Sequence, residues 1–187
     1  MISRDELKNR LINACEEVSE NEPILTDIDT QFGDADHGTT MVSISRAMTA
    51  AVTDSDGTIR QMMYAASMAV KDIRGGSIVP LWNAWLDGLS EGAPDTLDAS
   101  EDDIRTMFAE GLRSIDALSG AKVGDKTMMD ALIPASDAIA ACTGDVSEIF
   151  DMAALAALNG AEYSKLVPAK FGSARAFGEK TIGTPDV

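Results

Sequence analysis

A short acidic segment holds the residues best suited to chemistry. Residues 25–41 read Leu-Thr-Asp-Ile-Asp-Thr-Gln-Phe-Gly-Asp-Ala-Asp-His-Gly-Thr-Thr-Met, which places four aspartates and the only histidine of the chain between Asp27 and His37. Carboxylates so close together repel one another, and their pKa values rise unless a cation intervenes. Oxygen ligands suit Mg2+ or Ca2+, and Mg2+ is favoured where phosphates complete its coordination. The segment does not match an EF-hand, because its acidic residues and glycines are out of register.

The spacing within this segment favours a metal site beside an anion site. In an extended conformation, Asp34-Ala35-Asp36 projects both carboxylates the same way, and the flanking Gly33 and Gly38 allow tight turns. Gly38-Thr39-Thr40 then begins a predicted helix, where free backbone amides can accept a phosphate. This arrangement suits a Mg-nucleotide. A solvated acidic loop that only caps the helix is the alternative, and His37 by itself is more typical of a hydrogen-bonding residue than of a ligand.

The elements that must position these residues are predicted to be helices. The 187 residues suffice for one domain with a sizeable core, and 45% hydrophobic residues with only 5% aromatics favour close-packed helices over sheets. Ser3 with Glu6, and Ser100 with Asp103, are helix-capping pairs. Apolar periodicity predicts an antiparallel all-α bundle of seven amphipathic helices, at about residues 3–19, 39–52, 58–73, 80–89, 100–115, 127–142 and 145–164.

Two details of this prediction concern helix faces and connections. The seventh helix is expected to turn Ile149, Met152, Leu155 and Leu158 towards the core. Four connections are rich in Gly, Asp, Ser and Thr, namely residues 26–40, 74–79, 119–127 and 172–186. Loops at one end of an up-and-down bundle converge, so the chemistry is expected there.

Charge and composition narrow the possible partners. The chain has 31 acidic and 15 basic residues, for a formal charge of −16, so nucleic acid is not an expected partner. An alternative interpretation is that this acidity serves only to keep the protein soluble. If the chain does bind a nucleotide, cations must bind with it.

Cys15 and Cys142 are expected to be buried thiols in a reducing compartment. The sequence shows neither a membrane span nor a signal peptide, so a cytoplasmic location is expected.

Three sequence blocks, in order, resemble a known family. They are Leu-Thr-Asp-Ile-Asp (residues 25–29) with Gly-Asp-Ala-Asp-His-Gly (33–38), Gly-Asp-Lys-Thr-Met (124–128) with Asp130, and Phe-Gly-Glu-Lys-Thr-Ile-Gly (177–183) followed by Asp186. The first is similar to the metal loop of the L subunit of dihydroxyacetone kinase, and the others are similar to its later nucleotide-site segments. Together they span most of the chain.

The resemblance implies a fold, a ligand and a set of contacts. The family fold is an eight-helix antiparallel barrel with the nucleotide at one end, here a single domain over residues 1–187 that stops before the last helix of the family. Asp29, Asp34 and Asp36 would coordinate Mg2+, with two ions expected, whereas Asp27 falls where the family uses no ligand. The residues expected to contact ADP or ATP are His37, Gly38, Thr39, Thr40, Gly76, Ser77, Gly120, Met128 and Asp186.

The resemblance also implies an activity and partners. The chain would be a kinase subunit that passes phosphate to a small ketose held on a separate K subunit. The phosphate source would be free ATP or a phosphotransferase-system M subunit that recharges bound ADP. A second copy of the chain is a further candidate partner.

Departures from the family pattern keep other interpretations open. Ile78 and Val79 stand where the family usually has a small hydroxyl residue and a glycine, and Ser173 stands where it has an arginine, for which Lys170 or Arg175 could substitute. A non-catalytic relative with impaired nucleotide binding, acting as a partner or regulatory protein, is therefore the alternative, and a divalent-cation buffer is a third. Lys126 and Lys180 could bind phosphate or instead form surface ion pairs with Asp125 and Glu179.

Overall fold

Helices account for most of the secondary structure in the computed structural model, which describes residues 1–186. The α-helices are α1 (Arg4–Glu20), α2 (Glu22–Phe32), α3 (His37–Asp54), α4 (Ile59–Lys71), α5 (Ile78–Gly92), α6 (Glu101–Ser119), α7 (Met129–Ala141) and α8 (Val146–Ser164). A 3-10 helix follows at Ser173–Thr181. The short strands β1 (Ile2–Ser3) and β2 (Asp98–Ala99) pair antiparallel, with Ile2 opposite Ala99. The all-α prediction is confirmed.

Several helices begin where side chains satisfy their free amides. At α1 the hydroxyl of Ser3 accepts from the Glu6 amide, while the Glu6 carboxylate accepts from the Ser3 amide. Reciprocal bonds of this kind stabilise a helix end by about 1 kcal/mol. The capping residues Ser3 and Ser100 agree with the sequence prediction, and the same arrangement occurs at α4 and α8, where the N-cap residues are Thr58 and Asp145.

The core forms where successive helices pack against each other. From α3 onwards each helix packs mainly on its neighbours in the chain, while α1 packs on α3. The largest fully buried side chains include Ile44, Ile59, Met62, Met63, Leu86 and Ile104. At Gly88 a Cβ atom would lie 2.5 Å from the Glu110 carbonyl oxygen, so this glycine allows α5 and α6 to approach closely.

Helix α2 is the element that the sequence prediction missed. Residues 26–40 were expected to form a loop, but Glu22–Phe32 is helical and carries both Asp27 and Asp29. Pro23 lies in the first turn of α2, where proline is tolerated, and none of the α2 residues is fully buried. Its apolar residues at positions 24, 25, 28 and 32 do recur at helical spacing, so α2 carries a short apolar period that the prediction overlooked. With α2, the structure contains eight α-helices within residues 1–186.

The predicted inner face of the last long helix was wrong in part. Ile149 is fully buried, but Met152, Leu155 and Leu158 are 50%, 55% and 60% exposed. Helix α8 packs chiefly on α7, so the opposite side of α8 remains open to solvent in this chain. A hydrophobic period shows that a helix has an apolar stripe, but not how much of that stripe another element covers.

Other predictions concern the cysteines and the membrane. Both cysteines are free thiols, as expected, and Cys15 is buried as predicted, whereas Cys142 is only half-buried. In the described part of the chain, no helix combines the length and the apolar character needed to cross a bilayer.

Candidate functional site

The four predicted connections converge around one cleft of about 670 Å³. Its walls come from the end of α2 with the turn to α3, the Gly-Gly turn before α5, the turn after α6, and the segment that follows α8. This convergence was expected from the antiparallel arrangement. Eight of the predicted site residues line the cleft: Asp29, Asp34, Asp36, His37, Gly76, Ser77, Met128 and Asp186.

Three carboxylates that line this cleft lie close together. Asp29, Asp34 and Asp36 can each offer an oxygen so that all three oxygens lie within 4.8 Å of one another. Two ligands on opposite sides of one Mg2+ are about 4.2 Å apart, since each Mg–O distance is about 2.1 Å. The donor set therefore fits a divalent cation after small side-chain rotations. The residues predicted as metal ligands come together, although α2 and a separate turn supply them.

The turn between α2 and α3 is held in an unusual conformation. The Asp29 carboxylate accepts hydrogen bonds from the amides of Asp36 (3.0 Å) and His37 (3.2 Å). A Cβ atom at Gly33 would lie 1.8 Å from Asp29 Oδ1, so only glycine allows this approach. Ala35 adopts φ = 63°, a left-handed conformation that costs an alanine about 1 kcal/mol or more. Asp29 thus acts as the scaffold on which Asp34 and Asp36 are presented.

The carboxylates oppose one another electrostatically. Burial, followed by the nearby charges of Asp34 and Asp29, raises the pKa of Asp36 above its ordinary value. Burial lowers the pKa of the His37 imidazole, although the charges of Asp29 and Asp36 act in the opposite direction. A raised carboxyl pKa means that the ionised cluster gains from a proton or a bound cation.

The start of α3 differs from the prediction in its details. The helix begins at His37, before the expected Thr39, and its first intrahelical bond runs from the Thr40 amide to the Asp36 carbonyl. Gly38 is buried, and a Cβ atom there would lie 2.3 Å from Thr26 Oγ1, so Gly38 allows α3 to pack against α2. The Thr39 hydroxyl donates to the Asp36 carbonyl (2.9 Å). These residues lie beside the cleft lining, and their contact with phosphate stays a prediction.

The turn after α6 supplies another wall. Gly120 ends α6 with φ = 64° and is exposed next to Ser119, which lines the cleft. The buried carboxylate of Asp130 accepts from the amides of Gly124 (2.6 Å) and Thr127 (2.8 Å), which fixes the path of the chain up to Met128. Asp130 therefore organises the Gly-Asp-Lys-Thr-Met block from within the fold.

Lys126 is a buried residue that bonds to the backbone of other segments. It is only 4% exposed, and its ammonium group donates to the carbonyl oxygens of Ser164, Val167 and Thr184. Asp125 pairs instead with Lys170, whose Nζ lies 2.7 Å from Asp125 Oδ1. Of the two alternatives for Lys126, the surface ion pair with Asp125 is wrong, because the side chain of Lys126 turns inwards.

The sequence prediction also missed the apolar part of the cleft. Phe32, Leu118 and Phe171 line it, and the Phe32 ring lies 5.2 Å from that of Phe177, centroid to centroid. Aromatic walls of this kind suit a flat heterocycle. Phe32 stands directly before Gly33 in the sequence, and an aromatic residue beside an acidic turn is a signal that could have marked it.

The match to a family model covers most of the chain. Residues 31–187 match the DAK2 domain. This chain belongs to the DAK2 domain family. Its acidic cluster, its Gly-Asp-Lys-Thr-Met block and its C-terminal segment all fall within or at the edge of the matched region.

Related sequences place this DAK2 chain among DhaL-type proteins. It is 36% identical over 172 residues to the L-erythrulose 1-kinase of Mycolicibacterium smegmatis, an alignment that covers 90% of this chain and 30% of that protein. It is 32% identical over 116 residues to the ADP-binding subunit DhaL of the PTS-dependent dihydroxyacetone kinase of Lactococcus lactis, covering 62% of this chain and 58% of the subunit. The DAK2 chain therefore spans about a third of the kinase and somewhat more than half of the subunit.

A solved structure shows the same fold. The dihydroxyacetone kinase from C. freundii, crystallised in complex with AMP-PNP and Mg2+, superposes on the DAK2 chain with a TM-score of 0.63 and 23% identity. The superposition covers 94% of this chain and 29% of that one. The expected helical fold is thereby confirmed.

The departures from the family pattern can now be located in the DAK2 chain. Val79 is buried, and a Cβ atom at Gly75 would lie 2.7 Å from Val79 Cγ2, so this side chain points into the core and not across the cleft. Ile78 and Ser173 both line the cleft. Lys170 is engaged with Asp125, which leaves Arg175, an exposed residue, as the candidate replacement for the family's arginine.

Proposed function

We propose that this chain is the nucleotide-binding subunit of a dihydroxyacetone-type kinase and that it holds Mg-ADP or Mg-ATP in the cleft. The observation that carries the proposal is that Asp29, Asp34 and Asp36 lie close together in the lining of the cleft. Aromatic and aliphatic side chains lie at other points of the same cleft, where they can hold a base. A relative named as an ADP-binding subunit supports the nucleotide.

In the proposed complex the residues have separate tasks. Asp29, Asp34 and Asp36 hold Mg2+, with two ions expected, and bound Mg2+ supplies the positive charge that neutralises the phosphates. His37, Gly38, Thr39, Thr40, Gly76 and Ser77 bind the phosphates, while Gly120 and Met128 flank the adenine. Asp186 closes the C-terminal segment over the nucleotide. An acidic chain can bind a polyanion in this way because the cations come with it.

The phosphate acceptor belongs to a partner in this proposal. The described part of the chain presents its carboxylate cluster at an open cleft, and phosphoryl transfer depends on alignment and charge neutralisation more than on a covalent group. We therefore propose that a K-type subunit brings a small ketose to the cleft. Either free ATP or a phosphotransferase-system M subunit replenishes the phosphate.

The test is a titration that compares two aspartates from the same segment. Asp34→Ala removes a cluster carboxylate, whereas Asp27→Ala removes an exposed carboxylate outside the cluster and serves as a matched control. Calorimetry with ADP should show binding that requires Mg2+, that Asp27→Ala retains and that Asp34→Ala weakens by about a hundredfold or more. Turnover is then measured with a K-type subunit and a ketose.

The non-catalytic alternative makes the opposite prediction for the same titration. It is favoured by Ile78 and Ser173, which line the cleft in place of a small hydroxyl residue and an arginine. A folded native protein that binds no ADP in the presence of Mg2+ would refute the kinase proposal and leave the partner role. Binding together with turnover would eliminate the alternative.

A further inference from the structure

Lys126 occupies an unusual position in the turn that precedes α7. The residue is 4% exposed and adopts φ = 57°, a left-handed conformation that side-chain-bearing residues rarely occupy. Its Nζ donates to Ser164 O (2.7 Å), to Val167 O (3.4 Å) and to Thr184 O. An ammonium group has three N–H donors, so these carbonyl oxygens use its full donor capacity.

Burying the charged ammonium group of Lys126 costs free energy. Burial lowers the pKa of the Lys126 ammonium, whereas the charges of Asp186 and Asp130 act to raise it. An apolar side chain of similar size would avoid the cost of burying a charge, so packing alone does not require a lysine here. A lysine does offer a point charge that can draw several carbonyl oxygens from different segments to one place.

The carbonyl oxygens that Lys126 binds belong to two separate segments. Ser164 and Val167 lie at and just beyond the end of α8, and Thr184 lies near the end of the described chain. The Gly183 amide donates to Lys165 O (2.7 Å), and the Asp186 amide donates to Ser164 Oγ (2.9 Å). Lys126 is therefore the centre of a set of hydrogen bonds that joins residues 183–186 to the end of α8.

Residues 184–186 form part of the cleft wall. Thr184, Pro185 and Asp186 line the cleft, and the Thr184 hydroxyl lies 3.2 Å from Gln31 Oε1 on α2. The same short segment thus reaches from α8 to α2 across one side of the cleft. A shift of Thr184 would move the backbone of Asp186, because only one residue separates them.

We propose that Lys126 is a positioning residue that fastens residues 183–186 as one wall of the cleft and is not a phosphate ligand. Its donors are satisfied by backbone carbonyl oxygens, so they are not available to a phosphate in this arrangement. The effect on nucleotide affinity rests on the proposed function, whereas the fastening of the segment does not. The two parts are therefore tested by different measurements.

The first measurement is amide hydrogen exchange without nucleotide. Lys126→Met keeps the length of the side chain but removes every donor, and Lys122→Met, in the same turn but exposed, is the control. We expect exchange at the Gly183 and Asp186 amides to accelerate about tenfold or more in Lys126→Met, with helices α3–α6 unchanged. Unchanged exchange at these two amides would overturn the proposal, as would acceleration throughout the chain.

The second measurement is calorimetry with ADP and Mg2+. We expect Lys126→Met to weaken Mg-ADP binding about tenfold, while the melting temperature without ligand stays close to that of Lys122→Met. Equal affinity in the two variants would overturn the positioning role. A native protein that does not bind Mg-ADP would refute the proposed function and the coupling, while the exchange experiment would still decide whether Lys126 fastens the segment.

A second variant covers the case in which Lys126→Met does not fold. Ser164→Ala removes the hydroxyl that accepts the Asp186 amide but leaves the Ser164 carbonyl for Lys126. It should accelerate exchange at Asp186 and weaken Mg-ADP binding by a few fold. If exchange at Asp186 is unchanged, the segment does not depend on these hydrogen bonds and the fastening proposal fails; if exchange accelerates but the affinity is unchanged, the coupling of the segment to nucleotide binding is overturned.

Discussion

Single residues in the acidic turn are arranged for a ligand at the expense of local stability. Asp36 faces the charges of Asp34 and Asp29, and its pKa is raised as a result. Ala35 is held in a left-handed conformation between them. Neither feature stabilises the chain by itself, and strain of this kind is concentrated where a ligand compensates for it. The properties of Asp36 and Ala35 therefore favour a cation site over a solvated loop.

The raised pKa of Asp36 predicts a trade-off between stability and binding. The folded state holds the Asp36 proton more tightly than the unfolded state, so the ionised carboxylate destabilises the metal-free fold at neutral pH. Asp36→Asn should raise the melting temperature without metal at pH 7, and this gain should shrink as the pH falls through the raised pKa. The same variant should lose Mg-dependent ADP binding. A lower melting temperature at pH 7, with Asp27→Asn unchanged as the control, would contradict this explanation.

At the scale of elements, helices α2 and α8 show how burial departs from pattern. Helix α2 has no fully buried residue, yet it supplies Asp29 and receives Gly38 of α3 at close range. Helix α8 has a recognisable apolar stripe, but only part of it is covered by α7. The position of a helix among its neighbours, more than its own sequence, decides which of its side chains are buried and therefore stabilise the fold.

Two substitutions on α8 test this difference in burial. Ile149→Ala removes a fully buried side chain and should lower the free energy of unfolding by about 2–4 kcal/mol. Leu155→Ala removes a side chain that is 55% exposed and should change it by about 0.5 kcal/mol or less. Denaturant unfolding of both variants measures the difference. Equal losses would show that the exposed stripe is covered in solution.

At the scale of the whole molecule, the net charge and the convergence of the loops on one cleft together determine which ligands can bind. The net charge of −16 disfavours an anionic ligand, while the cleft gathers three carboxylates that attract cations. A nucleotide should therefore bind together with its metal, since the cation supplies the positive charge that the phosphates need and the phosphates complete the coordination of the cation. This coupling follows from the overall composition as much as from the cleft.

Joint binding predicts a joint effect on thermal stability. A ligand at a hundred times its Kd stabilises the folded state by about 2.7 kcal/mol, which for a chain of this size raises the melting temperature by about 5–10 °C. Mg2+ with ADP should produce such an increase, whereas Mg2+ alone or ADP alone should produce much less. A thermal-shift series checks this, with Asp34→Ala as the unresponsive control. An equal shift with ADP alone would argue against metal-mediated binding.

Local patterns in the sequence accounted for much of the fold. Capping pairs such as Ser3 with Glu6, and the apolar period of most helices, depend on residues three or four apart, so the chain by itself determines them. The three blocks that resemble the dihydroxyacetone kinase L subunit likewise lie in short segments. From these the all-α bundle, the convergence of loops and the acidic cluster could be predicted.

Contacts between distant segments account for what could not be predicted. The sequence determined that Asp29, Asp34 and Asp36 are close along the chain, but only the tertiary structure decided that α2 presents one of them and a turn the other two. The sequence left Lys126 open between a phosphate ligand and a surface ion pair, because no local pattern records carbonyl oxygens 38 and 58 residues away. Likewise, the stripe on α8 was visible in the sequence, whereas its exposure depends on which helices pack beside it. Hydrogen-bonding and packing partners far apart in the chain leave no periodic signal, and it is folding that brings them together.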